Sequence, residues 1–232
     1  MTYDLLSVFT AELRSYLMLT IGMVVWISFG LVETSAADTT YFDKKIQQIM
    51  AFHLLSEESF YVVVVPITDR YIIASQYKQW VAQGYREEEM VNLSKEAVSR
   101  VRGKLYVFLR AGLAGGVAST GRQTVVLPEN LKDSVWIVTD RGDTLHCEAA
   151  EVPFARAVTL LNPEVEAALI FPTTLKKGGR ERDVFQEATS IEFVIKGLGF
   201  KKDRIRYALP LSWLFEDAPS VLKRLFNQAS GD

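Results

Sequence analysis

The apolar positions of the chain follow a helical repeat near residue 40 and short, strand-like runs farther along. Within residues 41–55, Phe42, Ile46, Met50 and Leu54 recur at every fourth position. This stripe is typical of an amphipathic helix. The sequence therefore predicts that the first folded element after residue 40 is a helix that buries one side.

A second pattern follows directly. Residues 60–65 are β-branched or aromatic, the run is too short for a helix, and Pro66 follows it. A short continuous apolar run of this kind is typical of a strand that is buried on both faces. We predict a central strand that ends at Pro66.

Two further helices are predicted within residues 69–102. Thr68 or Asp69 can cap the first helix, and Gly84 can end it in the left-handed conformation. The second, at 86–101, has an acidic first turn and a basic end, which suits the helix dipole. We predict a pair of helices joined by a short connection.

From residue 104 onward the apolar runs are short and are separated by turn residues, which indicates strands. The dipeptide Arg141-Gly142 lies between two of these runs and predicts a hairpin. A glycine-rich loop separates the first two of the later runs. The predicted strands cover residues 104–111, 124–128, 134–140, 143–153, 167–174, 191–198 and 204–213.

Helices that cluster early and strands that cluster late indicate an α+β fold rather than an alternating parallel sheet. We predict a mainly antiparallel β-sandwich-like domain with an inserted helix pair at about 69–102 and flanking helices, preceded by an N-terminal hydrophobic helix. The last flanking helix can be capped by Asp217, and its buried face would be Leu222, Leu225 and Phe226.

The hydrophobic stretch near the N terminus bears on where the protein acts. Residues 15–32 carry no charge, and about 20 apolar residues suffice to cross a bilayer core. Small residues at 35–37 favour cleavage by a signal peptidase. The long leading region with few basic residues, and Trp26 and Gly22 within the run, favour a retained anchor instead.

These observations predict two parts of the chain: a signal peptide or N-terminal membrane anchor at 1–37, and a single exported globular domain at 38–232. The domain is expected in the periplasm or outside the cell, anchored by the N terminus if that segment is not cleaved. A buried core helix at 15–32 is the remaining alternative. Arg14 is the one basic residue before residue 15, and positive charges next to a membrane span normally mark its cytoplasmic side.

The composition argues against several classes of binding site and cross-link. The net charge of −2 gives no general attraction to nucleic acid. Cys147 is the one cysteine of the chain, so no intramolecular disulfide can form. With His53 and His146 as its two histidines, the sequence offers too few ligands for a multi-cysteine zinc site. It contains no phosphate-binding glycine motif, and we predict neither a cofactor nor a metal site.

One segment gathers residue types that could perform proton transfer or bind a metal: Asp140, Asp143, His146 and Glu148. Alternation along a strand would place His146 and Glu148 on one face and Cys147 on the other, and aspartates are common at turns for local reasons. We predict a hairpin tip with a half-buried histidine and a structural thiol. No catalytic residue is assigned.

Two groups of basic residues remain as candidates for binding. The first basic cluster is Lys176, Lys177, Arg180 and Arg182, and the second basic cluster is Lys196, Lys201, Lys202, Arg204 and Arg206. All of these except Lys196 are the predicted binding residues. A basic patch attracts anionic lipid, acidic polysaccharide or an acidic protein. The alternative is that these lysines and arginines keep sheet edges soluble and unpaired.

The sequence thus favours an exported, non-enzymatic binding or envelope-associated structural domain, and an enzyme is the less favoured class. The possible partners are an envelope protein, polysaccharide or anionic lipid, but not nucleic acid. One alternative is an exported hydrolase whose carboxylates come from separate strands, because such pairs lie close in space whatever their sequence separation. Another is a peripheral binder of anionic lipid or polysaccharide that acts through residues 176–206.

Overall fold

In the computed structural model, apolar runs from both halves of the chain form antiparallel sheets, and several helices accompany them. The fold is therefore mixed α and β. The structure describes residues 40–52, 54–57, 60–113, 125–152, 156–159, 163–177, 180–198 and 200–230. The predicted N-terminal helix and most of the glycine-rich loop lie outside these residues. None of the described helices combines the length and the apolar character needed to cross a membrane.

The first sheet has five strands in the order β1-β2-β3-β7-β6, and every neighbouring pair is antiparallel. Along β7, buried and half-exposed residues alternate, as expected for a strand with one face in a core. The strands are β1 at Leu54–Glu57, β2 at Phe60–Ile67, β3 at Lys104–Leu113, β6 at Ala149–Glu151 and β7 at Glu164–Pro172.

The second sheet has four strands in the order β11-β10-β4-β5, again all antiparallel. The turn between β4 and β5 contains Gly142 at φ +80°, so the hairpin predicted at Arg141-Gly142 is confirmed. The strands are β4 at Val135–Thr139, β5 at Thr144–His146, β10 at Ser190–Ile195 and β11 at Arg204–Ala208.

Aromatic side chains join the two sheets. Phe171 on β7 contacts Phe193 on β10 edge to face, with ring centroids 6.2 Å apart. Tyr207 on β11 stacks edge to face on Phe193 at 5.7 Å, and its hydroxyl donates a 2.5 Å hydrogen bond to the carbonyl of Val64 on β2. These side chains are almost fully buried. The core of the protein therefore includes residues from both sheets.

The helices bury apolar faces against one another and against the first sheet. The connection from β2 to β3 holds α2 and α3, which contact each other and α6. Thr68 caps α2, and Gly84 follows it at φ +75°, so both predictions for this helix are confirmed. The helices are α1 at Tyr41–Phe52, α2 at Asp69–Ala82, α3 at Glu87–Val101, α4 at Leu131–Ser134, α5 at Val184–Glu187 and α6 at Ser220–Ser230.

Two predicted boundaries were wrong. Strand β2 continues through Pro66 to Ile67. Strand β1 pairs only as far as Val63, so Pro66 lies where one side of β2 has no partner strand and its missing N–H is tolerated there. The last helix begins at Ser220, and Asp217 instead accepts hydrogen bonds from Tyr41 and Lys45 at 2.8 and 2.7 Å. The predicted buried face of this helix is confirmed.

Two predictions for the later strands also need correction. Residues 125–128, the described part of the strand predicted at 124–128, form one isolated bridge, Val126 to Ala157, rather than a strand. The predicted strand at 143–153 divides at Cys147 into β5 and β6, which belong to different sheets. The strands predicted at 167–174 and 191–198 belong to different sheets, and the charged segment between them folds into its own hairpin. That hairpin consists of β8 at Thr174–Lys177 and β9 at Arg180–Asp183.

Candidate functional site

The first basic cluster lies on the β8–β9 hairpin, and carboxylates surround its member Arg182. Arg182 donates from Nη2 to Asp143 Oδ2 at 2.5 Å and from Nη1 to Glu187 Oε2 at 2.8 Å. Arg141 lies 3.5 Å from the same Glu187 oxygen. Lys176 is exposed and lies opposite Glu181 in the hairpin register. The side chains of Lys177 and Arg180 lie outside the described residues.

The charges around the first basic cluster nearly cancel. Its four cations and Arg141 make five positive charges, and Glu181, Asp183, Glu187 and Asp143 make four negative charges, which leaves +1. Arg182 holds the β4–β5 turn against the hairpin. This cluster is therefore better suited to joining elements than to attracting an anionic partner.

The second basic cluster lies at the opposite end of β10, in the connection to β11 and along β11 itself. Lys196 forms an ion pair with Asp203, and this hydrogen bond lowers the pKa of the Asp203 carboxyl group. Arg204 donates from Nη1 to Glu192 Oε2 at 2.9 Å. Five cations in residues 196–206 face two carboxylates, Asp203 and Glu192, which leaves +3. Lys196, Lys201 and Lys202 are separated from the first basic cluster by the length of β10, whereas Arg206 lies near the start of that strand.

Arg204 and Arg206 belong to what we call the outer face of the second sheet. The opposite face carries the buried side chains Ile137, Leu145, Ile191, Phe193, Ile205 and Tyr207. Because side chains alternate along a strand, their neighbours point the other way. The outer face consists of Trp136, Val138, Thr144, His146, Ser190, Glu192, Val194, Arg204, Arg206 and Ala208.

The outer face is open to solvent at Arg204, Arg206, Thr144 and His146, whereas Ser190 and Val194 are buried. Trp136 is half-buried. Arg206 donates from Nη2 to the Ser190 hydroxyl at 2.9 Å. Sequence analysis did not select Trp136, although the alternation in strand 134–140 places it opposite to the buried Val135 and Ile137. The period-two pattern was the signal that could have found it.

The candidate acid–base residues of the β4–β5 region each have a separate partner. Asp140 accepts hydrogen bonds from the Thr189 hydroxyl at 2.5 Å and the Thr189 N–H at 3.1 Å, which lower its pKa. Asp143 is held by Arg182, and Glu148 forms an ion pair with Lys104. Within the described residues, no group of three or more His, Cys, Asp and Glu side chains could hold a metal ion.

His146 and Cys147 lie on opposite faces, as alternation predicted. His146 is exposed rather than half-buried, because β5 ends there at the sheet edge. Cys147 is buried, its thiol donates to the Ala149 carbonyl at 2.9 Å, and burial raises the pKa of the thiol. A buried thiol with a raised pKa is a poor nucleophile. The structure places Cys147 in the core.

A further charged group, which sequence analysis missed, spans three strands of the first sheet. We call it the Arg110 cluster: Tyr61 on β2, Arg110 on β3, and Glu164 and Glu166 on β7. Arg110 binds Glu166 through Nε at 3.0 Å and Nη2 at 2.8 Å, and its guanidinium lies over the Phe108 ring. The Tyr61 hydroxyl donates to Glu164 Oε1 at 2.5 Å.

Burial shapes the electrostatics of the Arg110 cluster. It raises the pKa of Glu166, an effect that the positive charge of Arg110 opposes. Burial is also the main cause that raises the pKa of Tyr61, and the hydrogen bond to Glu164 raises it further. The two carboxylates share one strand and both interact with Arg110. The cluster is therefore suited to holding strands together, and its carboxylates do not come from separate strands as the hydrolase alternative expects.

Comparison with known proteins gave one structural likeness and no family. No protein-family model matches the chain, and no curated protein matches it. A crystal structure of a novel protein of unknown function from Burkholderia pseudomallei K96243 shares 12% identity with it. The alignment covers 86% of this chain and 99% of that chain, with a TM-score of 0.31. A likeness this distant carries no argument about fold or function.

Proposed function

We propose that this protein is an exported, non-enzymatic binding domain, which contacts an acidic partner in the cell envelope or outside the cell through its second basic cluster. Residues 1–37 would deliver it as a signal peptide or remain as a membrane anchor. In this proposal the two sheets form an antiparallel β-sandwich-like body, and the ring contacts of Phe171, Phe193 and Tyr207 between the sheets support that arrangement.

The charge difference between the two basic clusters carries this proposal. Near the first cluster, carboxylates leave an excess of one positive charge, and near the second they leave an excess of three. Lys201 and Lys202 are exposed in the connection before β11. A local excess of cations on an otherwise near-neutral protein attracts anionic groups at short range. Of the eight predicted binding residues, those at 201–206 therefore suit this role best.

Binding is favoured over catalysis by the way the titratable side chains are paired. Asp140, Asp143 and Glu148 each interact with a different neighbour, so they do not converge on one reacting atom. The carboxylates of Glu164 and Glu166 share Arg110. An acid–base pair needs two groups whose environments drive their pKa values apart around a substrate position. These pairings support a binding or structural role.

A charge-reversal experiment tests this proposal. We expect the double variant Lys201→Glu/Lys202→Glu to bind an acidic partner about tenfold more weakly, because its charge excess changes from +3 to −1. The probes are polygalacturonate and vesicles of phosphatidylglycerol and phosphatidylcholine, measured by titration calorimetry and co-sedimentation at low and high salt.

The matched control is Lys95→Glu/Lys223→Glu, which makes the same total charge change at exposed helix positions outside both basic clusters. We expect this control to bind nearly as well as the natural protein. Equal loss in the two double variants would show that only net charge matters. Absence of binding to either probe at low salt would overturn the proposed function.

A further inference from the structure

The outer face of the second sheet places an aromatic ring among cationic side chains. Building on the proposed function, we propose that this face binds an acidic polysaccharide: carboxylates of the sugar chain pair with Arg204 and Arg206, and a sugar ring stacks on Trp136. The inference concerns the class of ligand and the residues that select it.

The sheet register aligns these residues in a row. Arg204 lies opposite Val194, Val194 opposite Trp136, and Trp136 opposite His146. Neighbouring strands are about 4.8 Å apart, so the row extends for about 14 Å across four strands. Arg206 lies beside it, opposite Glu192. Val194 is fully buried within this row, so a short stretch of an extended sugar chain would contact Arg204 at one end and Trp136 and His146 farther along.

Hydrogen bonds hold the two arginines in place before any ligand arrives. Arg204 is bound through Nη1 to Glu192, and Arg206 through Nη2 to the Ser190 hydroxyl. A guanidinium carries five N–H donors, so each arginine keeps further donors for a carboxylate. Restricting these side chains in advance lowers the entropy that binding must overcome. The arginines are therefore pre-organised for an anionic ligand.

The position of Trp136 favours a sugar as the ligand over a membrane surface. Its side chain projects from the middle of a sheet, between the fully buried Val194 and the exposed His146. Insertion into the acyl region requires protruding apolar side chains, and Trp136 is half-buried. A flat aromatic ring can instead lie against the apolar face of a sugar while its neighbours pair with charged groups. The same face thus offers both interactions that an acidic sugar requires.

The experiment compares three probes: polygalacturonate, neutral dextran, and vesicles of phosphatidylglycerol and phosphatidylcholine. Variants are Arg204→Gln/Arg206→Gln and Trp136→Ala, with Lys95→Gln/Lys223→Gln, at exposed helix positions outside both basic clusters, as the charge-matched control. We expect polygalacturonate affinity to fall about tenfold in each of the first two variants and to change less than about twofold in the control. Dextran should not bind. If Trp136→Ala fails to fold, the arginine variant and Trp136→Leu, which keeps an apolar side chain without a ring, carry the test.

The outcomes separate this inference from the proposed function. Binding of polygalacturonate that neither site variant weakens overturns the assignment of the outer face and leaves an anionic partner in place. Binding of vesicles without binding of polygalacturonate makes the partner a lipid surface and also overturns the inference. Binding of no anionic probe overturns the inference and the proposed function together.

Discussion

Gly112 shows how a single missing side chain shapes the first sheet. Tyr61, Gly112 and Glu164 lie opposite one another on β2, β3 and β7. The Tyr61 ring crosses the glycine to reach the carboxylate, and a Cβ atom at position 112 would lie 2.7 Å from its hydroxyl oxygen. Glycine weakens a strand in isolation, yet here it permits a contact that joins three strands.

We expect Gly112→Ala to lower the free energy of unfolding by about 1–2 kcal/mol, because the ring must move away and lose its hydrogen bond. In a Tyr61→Ala background the same substitution should cost less or even stabilise the sheet, since alanine has the better strand conformation and the three atoms nearest to its Cβ, all in the Tyr61 ring and hydroxyl, are gone. Urea unfolding of the natural protein, both single variants and the double variant measures the coupling. Equal costs in the two backgrounds would contradict this account.

At the scale of elements, the β8–β9 hairpin depends on ion pairs for its position. Arg182 connects it to Asp143 in the β4–β5 turn and to Glu187 in α5. The Asp143 side chain is only 14% exposed, so its charge is largely removed from water. Removal of one partner from such a pair leaves the other charge without compensation. The first basic cluster is therefore a structural connection in this interpretation.

Arg182→Met should lower the free energy of unfolding by about 1–3 kcal/mol, because it leaves the mostly buried Asp143 without its cation. Arg141→Met removes the same type of side chain at a position that is 55% exposed, and it should change stability by less than about 0.5 kcal/mol. Thermal and urea unfolding of both variants provide the comparison. Similar losses in the two variants would show that Arg182 is not a specific link.

At the scale of the whole molecule, helices that are far apart in the sequence pack together. The two helices between β2 and β3 contact α6 at the other end of the described chain, and Arg224 forms two hydrogen bonds with Glu87 there, at 2.7 and 2.9 Å. With Cys147 as the one cysteine of the sequence, this arrangement is held by packing and polar contacts, and an exported location would demand no oxidative folding step.

Export is the prediction that belongs to this scale. The protein recovered from the periplasm or the medium should begin at Asp38, or keep its first residues and sediment with membranes if the segment at 15–32 remains as an anchor. N-terminal sequencing and mass spectrometry of the natural protein, expressed in a bacterial host, distinguish the two. Recovery of the intact chain from the cytosol as the main product would contradict export in either form.

How much could be predicted from sequence differed between local and long-range features. Helices α2 and α3, the cap at Thr68, the left-handed Gly84 and the hairpin at Arg141-Gly142 were predicted because each depends on residues within a few positions of one another. The predictions for Pro66 and Asp217 were wrong because they depend on distant segments. Pro66 is tolerated in β2 because β1 does not extend beside it, and Asp217 accepts a hydrogen bond from Tyr41 in α1.

For the candidate site, the sequence identified the basic residues but not their surroundings. Which cluster keeps a positive excess depends on carboxylates such as Asp143 and Glu192, which only folding brings beside Arg182 and Arg204. Trp136 joins Arg204 on one face through a register that spans three strands. The Arg110 cluster likewise gathers side chains that are about fifty residues apart or more between strands.

The sequence by itself determined the mixed α and β character, the antiparallel hairpins and the chemical types available, because periodicity, caps and turns act through neighbouring residues. Only the tertiary structure decided that strands 167–174 and 191–198 belong to different sheets, that residues 143–153 divide between those sheets, and which charges neutralise one another. The physical reason is that strand partners and ion pairs are chosen by burial of the whole core, and many pairings satisfy the local pattern equally well.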